Sequence, residues 1–359
     1  MMRSKTTLKE VAAAAGLSPA SVSMILNHKS IERFNRETVA KVFELAEKMD
    51  YQGKARTRFY PLQPMHTLII VICPSLVNPF YTTIIQGIEK AARQYGFTTS
   101  VRTTYWDTDM ERSLMNEAQN LHAAGVIFAM IPQQPQLAYE LSQKMPVVAI
   151  GDKRSDMEIA TVDMNNFTAG QLLGNYLLEL GHRKLAYIST TLNEHHSSRV
   201  RRYRGLQEAC KGYNGAELKV FTKEITPEYE ISHVDIEYST GYELADLCLK
   251  KAPATTAVIA INDMVAYGAY NAVINRGLRI PEDISLCGFD NIFPSGLHGV
   301  SLTSVDNALT NCGKSAFTLL QEEIKNYKQH GNFQSITHVE YKCSLKIRNS
   351  TAPPRALNK

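Results

Sequence analysis

The chain has 359 residues, 44% of them hydrophobic and 21% charged, with a formal net charge of +4. That length exceeds a typical single domain, and the apolar content suffices for proper cores, which excludes a disordered chain. The six cysteines (Cys73, Cys210, Cys248, Cys287, Cys312, Cys343) lie singly, without CxxC or Cys/His ligand spacing. This excludes a disulfide framework and a structural zinc, and points to reduced thiols in a cytoplasmic protein.

The first segment, "LKEVAAAAGLSPASVSMILN" (8–27), reads as two short helices around a tight turn. Thr7 and Glu10 have the spacing of a capping box. Gly16 supplies the left-handed residue that closes the first helix, Ser18 the next N-cap and Pro19 the first residue behind it. Val22, Ile25 and Leu26 recur at helical spacing and face inward. Ser18, Pro19, Ala20, Ser21, Ser23, Met24 and Asn27 are left for solvent or a partner. A third amphipathic helix over 36–49 offers Val39, Val42, Phe43, Leu45, Ala46 and Met49 to a small core. Helix pairs with glycine turns occur in many folds, so charge is the second witness. Residues 1–60 hold eleven Lys or Arg against six Asp or Glu, net +5, whereas the rest hold 28 against 29. Such a concentration of positive charge fits a segment that meets phosphates. No uninterrupted apolar segment follows Arg3 and Lys5, so no export signal is expected, and nothing approaches the roughly 20 apolar residues of a bilayer span.

Tyr51 to Thr67, with Pro61 and Pro64, reads as a linker. Beyond it, apolar strand-like runs recur at 68–73, 124–131, 146–152, 184–189, 256–263 and 283–291. Helical stretches lie between them, including 81–95, 168–180, 200–210 and 264–276. Continuous apolar strands alternating with helices predict parallel sheets covered on both faces. The βα rhythm restarts at "GHRKLAYIS" (181–189), so two α/β lobes are expected, with the stretch after Val300 crossing back between them.

Ligands of open parallel sheets bind outside the carboxyl ends of the strands. Those positions carry Phe80, Tyr81, Asp152, Arg202, Asn262, Asp263 and Asp290, an inventory suited to hydroxyls and a ring face, as in a sugar or nucleoside. Helix capping is the competing role for Asp152, Asn262 and Asp263. Trp106 is expected to pack in a loop. No GxGxxG, GxxxxGK[ST] or GxSxG is present, and His195-His196 lacks further ligands at metal spacing, so neither a catalytic centre, a cofactor nor a metal is expected. Two alternatives to a DNA-binding regulator are a cytosolic carbohydrate-binding protein without DNA and a carbohydrate-active α/β enzyme. The basic first segment and the unpaired acids argue against them.

"TLKEVAAAAGLSPASVSMILN", "NPFY", "RRYRG", "AINDMVAYGA", "IPEDISLCGFDN" and "IRNST" occur in the order expected of the LacI/GalR family of transcription regulators, which the chain resembles from Thr7 to about Thr351. The resemblance implies an all-α helix-turn-helix headpiece and a periplasmic-binding-protein-like core of two doubly wound parallel-sheet lobes. It also implies a homodimer that binds a palindromic operator in double-stranded DNA, with affinity set by a small-molecule effector. The chain then divides into a headpiece (1–52), a hinge (53–66), one lobe from 67–165 with 298–331, a second from 166–297 with 332–351, and a tail (352–359).

By this resemblance Thr7, Ser18, Pro19, Ala20, Ser21, Ser23, Met24 and Asn27 face DNA. Met24 stands where the family usually has an arginine able to read guanine through two hydrogen bonds, which a thioether cannot do. In the linker, "KARTRFY" replaces the family's Asn-Ala-X-Ala-Arg-X-Leu run. Tyr60 takes the leucine's place as the wedge, and Arg56 and Arg58 remain for phosphates or the minor groove. For the effector, the resemblance marks Phe80, Asp152, Ser198, Arg202, Asn262 and Asp290, with Ile236 or Tyr238 near the position of the family's aromatic wall. The C-terminal "STAPPRALNK" lacks a leucine heptad, so a dimer is expected rather than a coiled-coil tetramer.

Overall fold

A computed structural model of the chain describes residues 6–26, 33–49, 51, 67–152, 157–193, 196–330 and 335–355. They belong to two compact units, one within 1–64 and one within 65–359.

The first unit holds α1 (Leu8–Ala15), α2 (Pro19–Leu26) and α3 (Arg36–Lys48). The capping box forms: Thr7 Oγ1 accepts from the Glu10 amide, while Glu10 Oε2 accepts from the Thr7 amide at 2.6 Å. Gly16, at φ 73°, closes α1 as a left-handed cap. Val11, Ala12, Ala15, Val22, Ile25, Leu26 and Val42 form the buried centre, with Leu8, Val39, Phe43, Leu45, Ala46 and Met49 at its margin.

The second unit continues with β1 (Leu68–Cys73), α4 (Pro79–Gln94), β2 (Thr98–Thr103), α5 (Thr108–Asn120), β3 (Gly125–Phe128), α6 (Pro135–Ser142), β4 (Val147–Ile150) and β5 (Ala160–Asp163). Then come α7 (Asn166–Glu179), β6 (Lys184–Ser189), α8 (Ser197–Lys211), β7 (Glu217–Thr222), α9 (Pro227–Ser232), α10 (Ile236–Lys251), β8 (Ala257–Ala260), α11 (Asp263–Asn275) and β9 (Ser285–Phe289). The chain ends with β10 (Thr303–Asp306), α12 (Leu309–His330), β11 (His338–Glu340) and β12 (Ser344–Lys346). One sheet runs β11-β5-β4-β3-β1-β2, parallel throughout; the other runs β12-β10-β9-β8-β6-β7, parallel except where β12 pairs antiparallel with β10. Alternate residues of β1 serve opposite faces: Ile69, Val71 and Cys73 join the core under α4 and α12, while Ile70 and Ile72 join the core under α5 and α6. This two-sided burial is why the strand reads as one unbroken apolar run.

Three segments cross between the lobes, after β5, after β10 and after β11. Asn165 and Ala308 take left-handed conformations at the first two, with φ of 41° and 52°. The boundaries drawn from sequence need correction here. Residues 298–331 were assigned to the first lobe, yet β10 pairs with β9 in the second sheet before the chain crosses; only α12 packs on the first. Residues 332–351 were assigned to the second lobe, yet β11 pairs with β5 in the first. Both strands are short and lie outside the long apolar runs, so register with a neighbour, not composition, assigns them.

Candidate functional site

On the headpiece, α2 carries no charged side chain. Ser18 Oγ accepts from the Ser21 amide at 3.0 Å, so Ser18 caps the helix, and it pairs with the Ser21 hydroxyl at 2.8 Å. Ser18, Pro19 and Ala20 are exposed and Ser21, Ser23 and Met24 half-buried, opposite the buried Val22, Ile25 and Leu26. This leaves one open, uncharged face of small hydroxyl, methyl and thioether groups. Asn27, Arg56, Arg58 and Tyr60 lie outside the described residues.

In the core, the strand ends converge on a buried polar chain. Asp152, after β4, accepts from the Asn166 amide at 3.0 Å and from its Nδ2 at 2.9 Å. Asn166 Oδ1 in turn accepts from Arg202 Nε at 2.7 Å. The Arg202 guanidinium also donates to the Ile261 carbonyl at 2.6 Å and to Asp290 Oδ1 at 2.9 Å, and lies 4.7 Å from the Phe289 ring centre. Arg202 is 6% exposed and Asp290 4%. Asp290 is held at φ 101°, a conformation that persists only where its surroundings enforce it. Close helix packing delivers Arg202: a Cβ on Gly170 of α7 would strike the Arg202 carbonyl oxygen, and one on Gly205 of α8 the Phe167 carbonyl oxygen.

A second set of groups bridges the lobes. Asn78, the N-cap of α4, donates to Glu237 Oε2 at 2.7 Å; Asn262, the N-cap of α11, donates to Glu237 Oε1 at 2.7 Å. Burial pushes the Glu237 carboxyl above its ordinary range, opposed by the Arg199 guanidinium. Trp106, in the left-handed loop after β2, meets the His196 ring at 4.5 Å and the Arg199 guanidinium at 5.5 Å. With Thr190, Thr191, Ile225, Glu230 and Ile236 these side chains surround about 20 Å³ of space. That is room for about one water molecule, so these side chains leave no ring-sized space between them.

Of the residues marked in the sequence, the structure brings Arg202 and Asp290 into one buried ion pair and sets Asn262 and Ile236 beside Glu237. Others have different surroundings. Asp263 is not a cleft group: its oxygens accept from the Ile292 amide and from the Ser295 and Ser304 hydroxyls at 2.6–3.1 Å, and burial moves its carboxyl up to about 7. Tyr238 turns away, its hydroxyl accepting from the Asn271 amide on α11. Asp152 is fully buried and serves Asn166 at the start of α7, the capping role weighed above. Phe80 and Tyr81 meet edge to face at 5.0 Å beside the first lobe's core, and Ser198 is half-buried in the first turn of α8. Glu237, Glu230 and Arg199 were missed. An acid in a helix's first turn reads as a partner of the helix dipole, and nothing local announces that an asparagine 159 residues away will meet it. His195 lies outside the described residues, and no group of three metal-ligating side chains occurs among the described ones.

A basic headpiece with an open reading helix, followed by a two-lobed α/β receptor with a polar cleft, defines the class of ligand-responsive DNA-binding regulators. Residues 66–347 match the family of periplasmic binding proteins and the sugar-binding domain of the LacI family, and residues 7–53 match the bacterial regulatory proteins of the lacI family. The chain belongs to the LacI family of transcriptional regulators. Among its relatives is the HTH-type transcriptional repressor PurR of Klebsiella pneumoniae, 28% identical over 329 residues, 90% of this chain and 92% of that protein. PurR of Haemophilus influenzae is 25% identical over 346 residues, 96% of this chain and 98% of that protein. Similar solved structures include a CelR–cellobiose complex (TM-score 0.66, 23% identity, 96% of this chain and all of that one). A ribose-bound LacI-family regulator of Enterococcus faecium (TM-score 0.68, 24% identity, 80% of this chain and all of that one) shares the fold as well. No described helix is long and apolar enough to cross a membrane.

Proposed function

We propose that this regulator is a cytoplasmic repressor, without enzymatic activity, that binds a palindromic operator as a homodimer and whose grip on DNA is altered by a sugar-like effector in the cleft. The observation that carries the reading is the Asn166–Arg202–Asp290 chain at the ends of the strands, a prepared set of donors and acceptors in a protein whose positive charge sits in its reading unit. The hydroxyls of Ser18, Ser21 and Ser23 position the helix on phosphates, and Pro19, Ala20 and Met24 face base edges. Met24 replaces a guanine contact by an apolar one.

Selection of duplexes from a random pool, followed by mobility shift at rising salt, tests this. The expected outcome is a palindromic site without the family's usual guanine opposite Met24, bound with an affinity that falls steeply as salt rises. Recovery of that guanine, with Met24→Ala indifferent to it, contradicts the role of Met24. Failure to retain any duplex at low salt overturns the function itself.

A further inference from the structure

We propose that the cleft selects a sugar bearing a protonated amine and rejects phosphorylated and acidic sugars, an inference that rests on the effector-binding reading above. Charge balance is the first ground. Arg202 and Asp290 neutralise one another at 2.9 Å, and two more of the five guanidinium N–H groups are taken by Asn166 and Ile261, so this pair adds no net charge. That leaves the Glu230 and Glu237 carboxyls facing the space with Arg199 as the one guanidinium among the described residues lining it. Carboxyls therefore exceed guanidinium by one around a space of about 20 Å³, and burial with their mutual repulsion favours a proton on the pair, which an ammonium can replace.

The second ground is acceptor capacity. Each Glu237 oxygen receives one amide N–H at 2.7 Å and retains a further lone pair. The Thr190 hydroxyl, 3% exposed and on the wall of the same space, makes no hydrogen bond. One buried hydroxyl is thus ready for a ligand's hydroxyl, and the Trp106 indole is ready for the C–H face of a ring.

The third ground is displacement. A ring cannot enter 20 Å³ unless a side chain yields, and Arg199 is the one whose place an ammonium can take in kind. Its guanidinium lies over Trp106, donates to the Thr191 carbonyl at 3.0 Å and is attracted by the Glu230 and Glu237 carboxyls. Once Arg199 swings out, two carboxyls face the ring without a cation. An ammonium restores the balance; a phosphate adds like charge.

Trp106 is the only tryptophan of the chain, so its emission reports the site directly. The full-length protein is titrated near neutral pH with glucosamine, galactosamine and mannosamine, with their neutral parents, and with glucose 6-phosphate and glucuronate. At least one amino sugar is expected to change the emission at concentrations about tenfold or more below its neutral parent, the difference that a charge-assisted hydrogen bond to a buried carboxylate makes. The two anions leave the emission unchanged. Glu230→Gln and Glu237→Gln, each measured separately, are expected to bring amino and neutral sugars toward parity; Glu230→Gln is isosteric at a half-buried position and guards against a folding artefact. Neutral or phosphorylated sugars binding as well as the amino sugars overturns the proposal while leaving a sugar effector in place. Silence from every sugar overturns both.

Discussion

On the proposed reading of the cleft, Asp290 serves stability and sensing together. Its carboxylate answers a guanidinium that is 6% exposed, so removing it strands a buried cation, at a cost of roughly 3–5 kcal/mol. Asp290→Ala is accordingly expected to lower the melting temperature as well as abolish the effector response. Asp290→Asn keeps the shape, tolerates the left-handed backbone and still accepts from Arg202. It is the cleaner probe: operator binding in a mobility shift persists while the effector no longer changes it. An Asn variant that responds like the parent removes Asp290 from the sensing role. Asp290 stood out in the sequence because it directly follows the apolar run of β9, whereas Arg202 lies within α8 and meets it only through the fold. Asp263 was equally visible and differs only in what surrounds it, three donors from 292, 295 and 304 that no local pattern reveals.

At the level of elements, helices meet through reciprocal glycines: Gly170 with Gly205 between α7 and α8, Gly241 with Gly268 between α10 and α11, Gly87 with Gly313 between α4 and α12. Each position faces backbone of the opposing helix so closely that a methyl forces the helices apart. Gly170→Ala is expected to cost about 1–3 kcal/mol and to weaken the effector response, because the carbonyl it displaces belongs to Arg202. Gly212→Ala, where a Cβ meets its nearest neighbour at an ordinary 3.6 Å, is the control and should melt like the parent. Equal melting temperatures for the two variants contradict the packing argument. The strands divide in the same way between legible and hidden. β1 and β6 stood out as unbroken apolar runs, being covered on both faces. β2 and β7 sit at sheet edges, β2 half-buried along most of its length and β7 alternating between exposed and half-buried residues, and neither was singled out.

Across the whole molecule, carboxyls buried in the fold set how stability responds to pH. Glu111, fully buried and accepting from the Gln133 and Gln134 amides at 3.1 Å, is pushed by burial from 4.5 to about 7. Glu230 is moved to about 7 by burial and by the neighbouring Glu237, and Asp152 to about 6 by burial and Asp163. Between about 4.5 and 7 the folded chain keeps protons that the unfolded chain has lost. The stabilisation is therefore complete below that window and is lost as pH rises through it. Melting temperature is expected to fall between about pH 4.5 and 7, by roughly 2–4 °C for each kcal/mol lost, with a shallower fall in Glu111→Gln. An identical slope for that variant contradicts the assignment.

The three passages of chain between the lobes carry a mechanical consequence. Two bodies joined by a single cord drift freely, but bodies sewn together along one seam by three short threads keep little freedom beyond swinging about that seam, like a book on its spine. A metabolite held between the pages is thereby felt as an angle. An angle, unlike a local dent, is transmitted undiminished to the far edge of a rigid body.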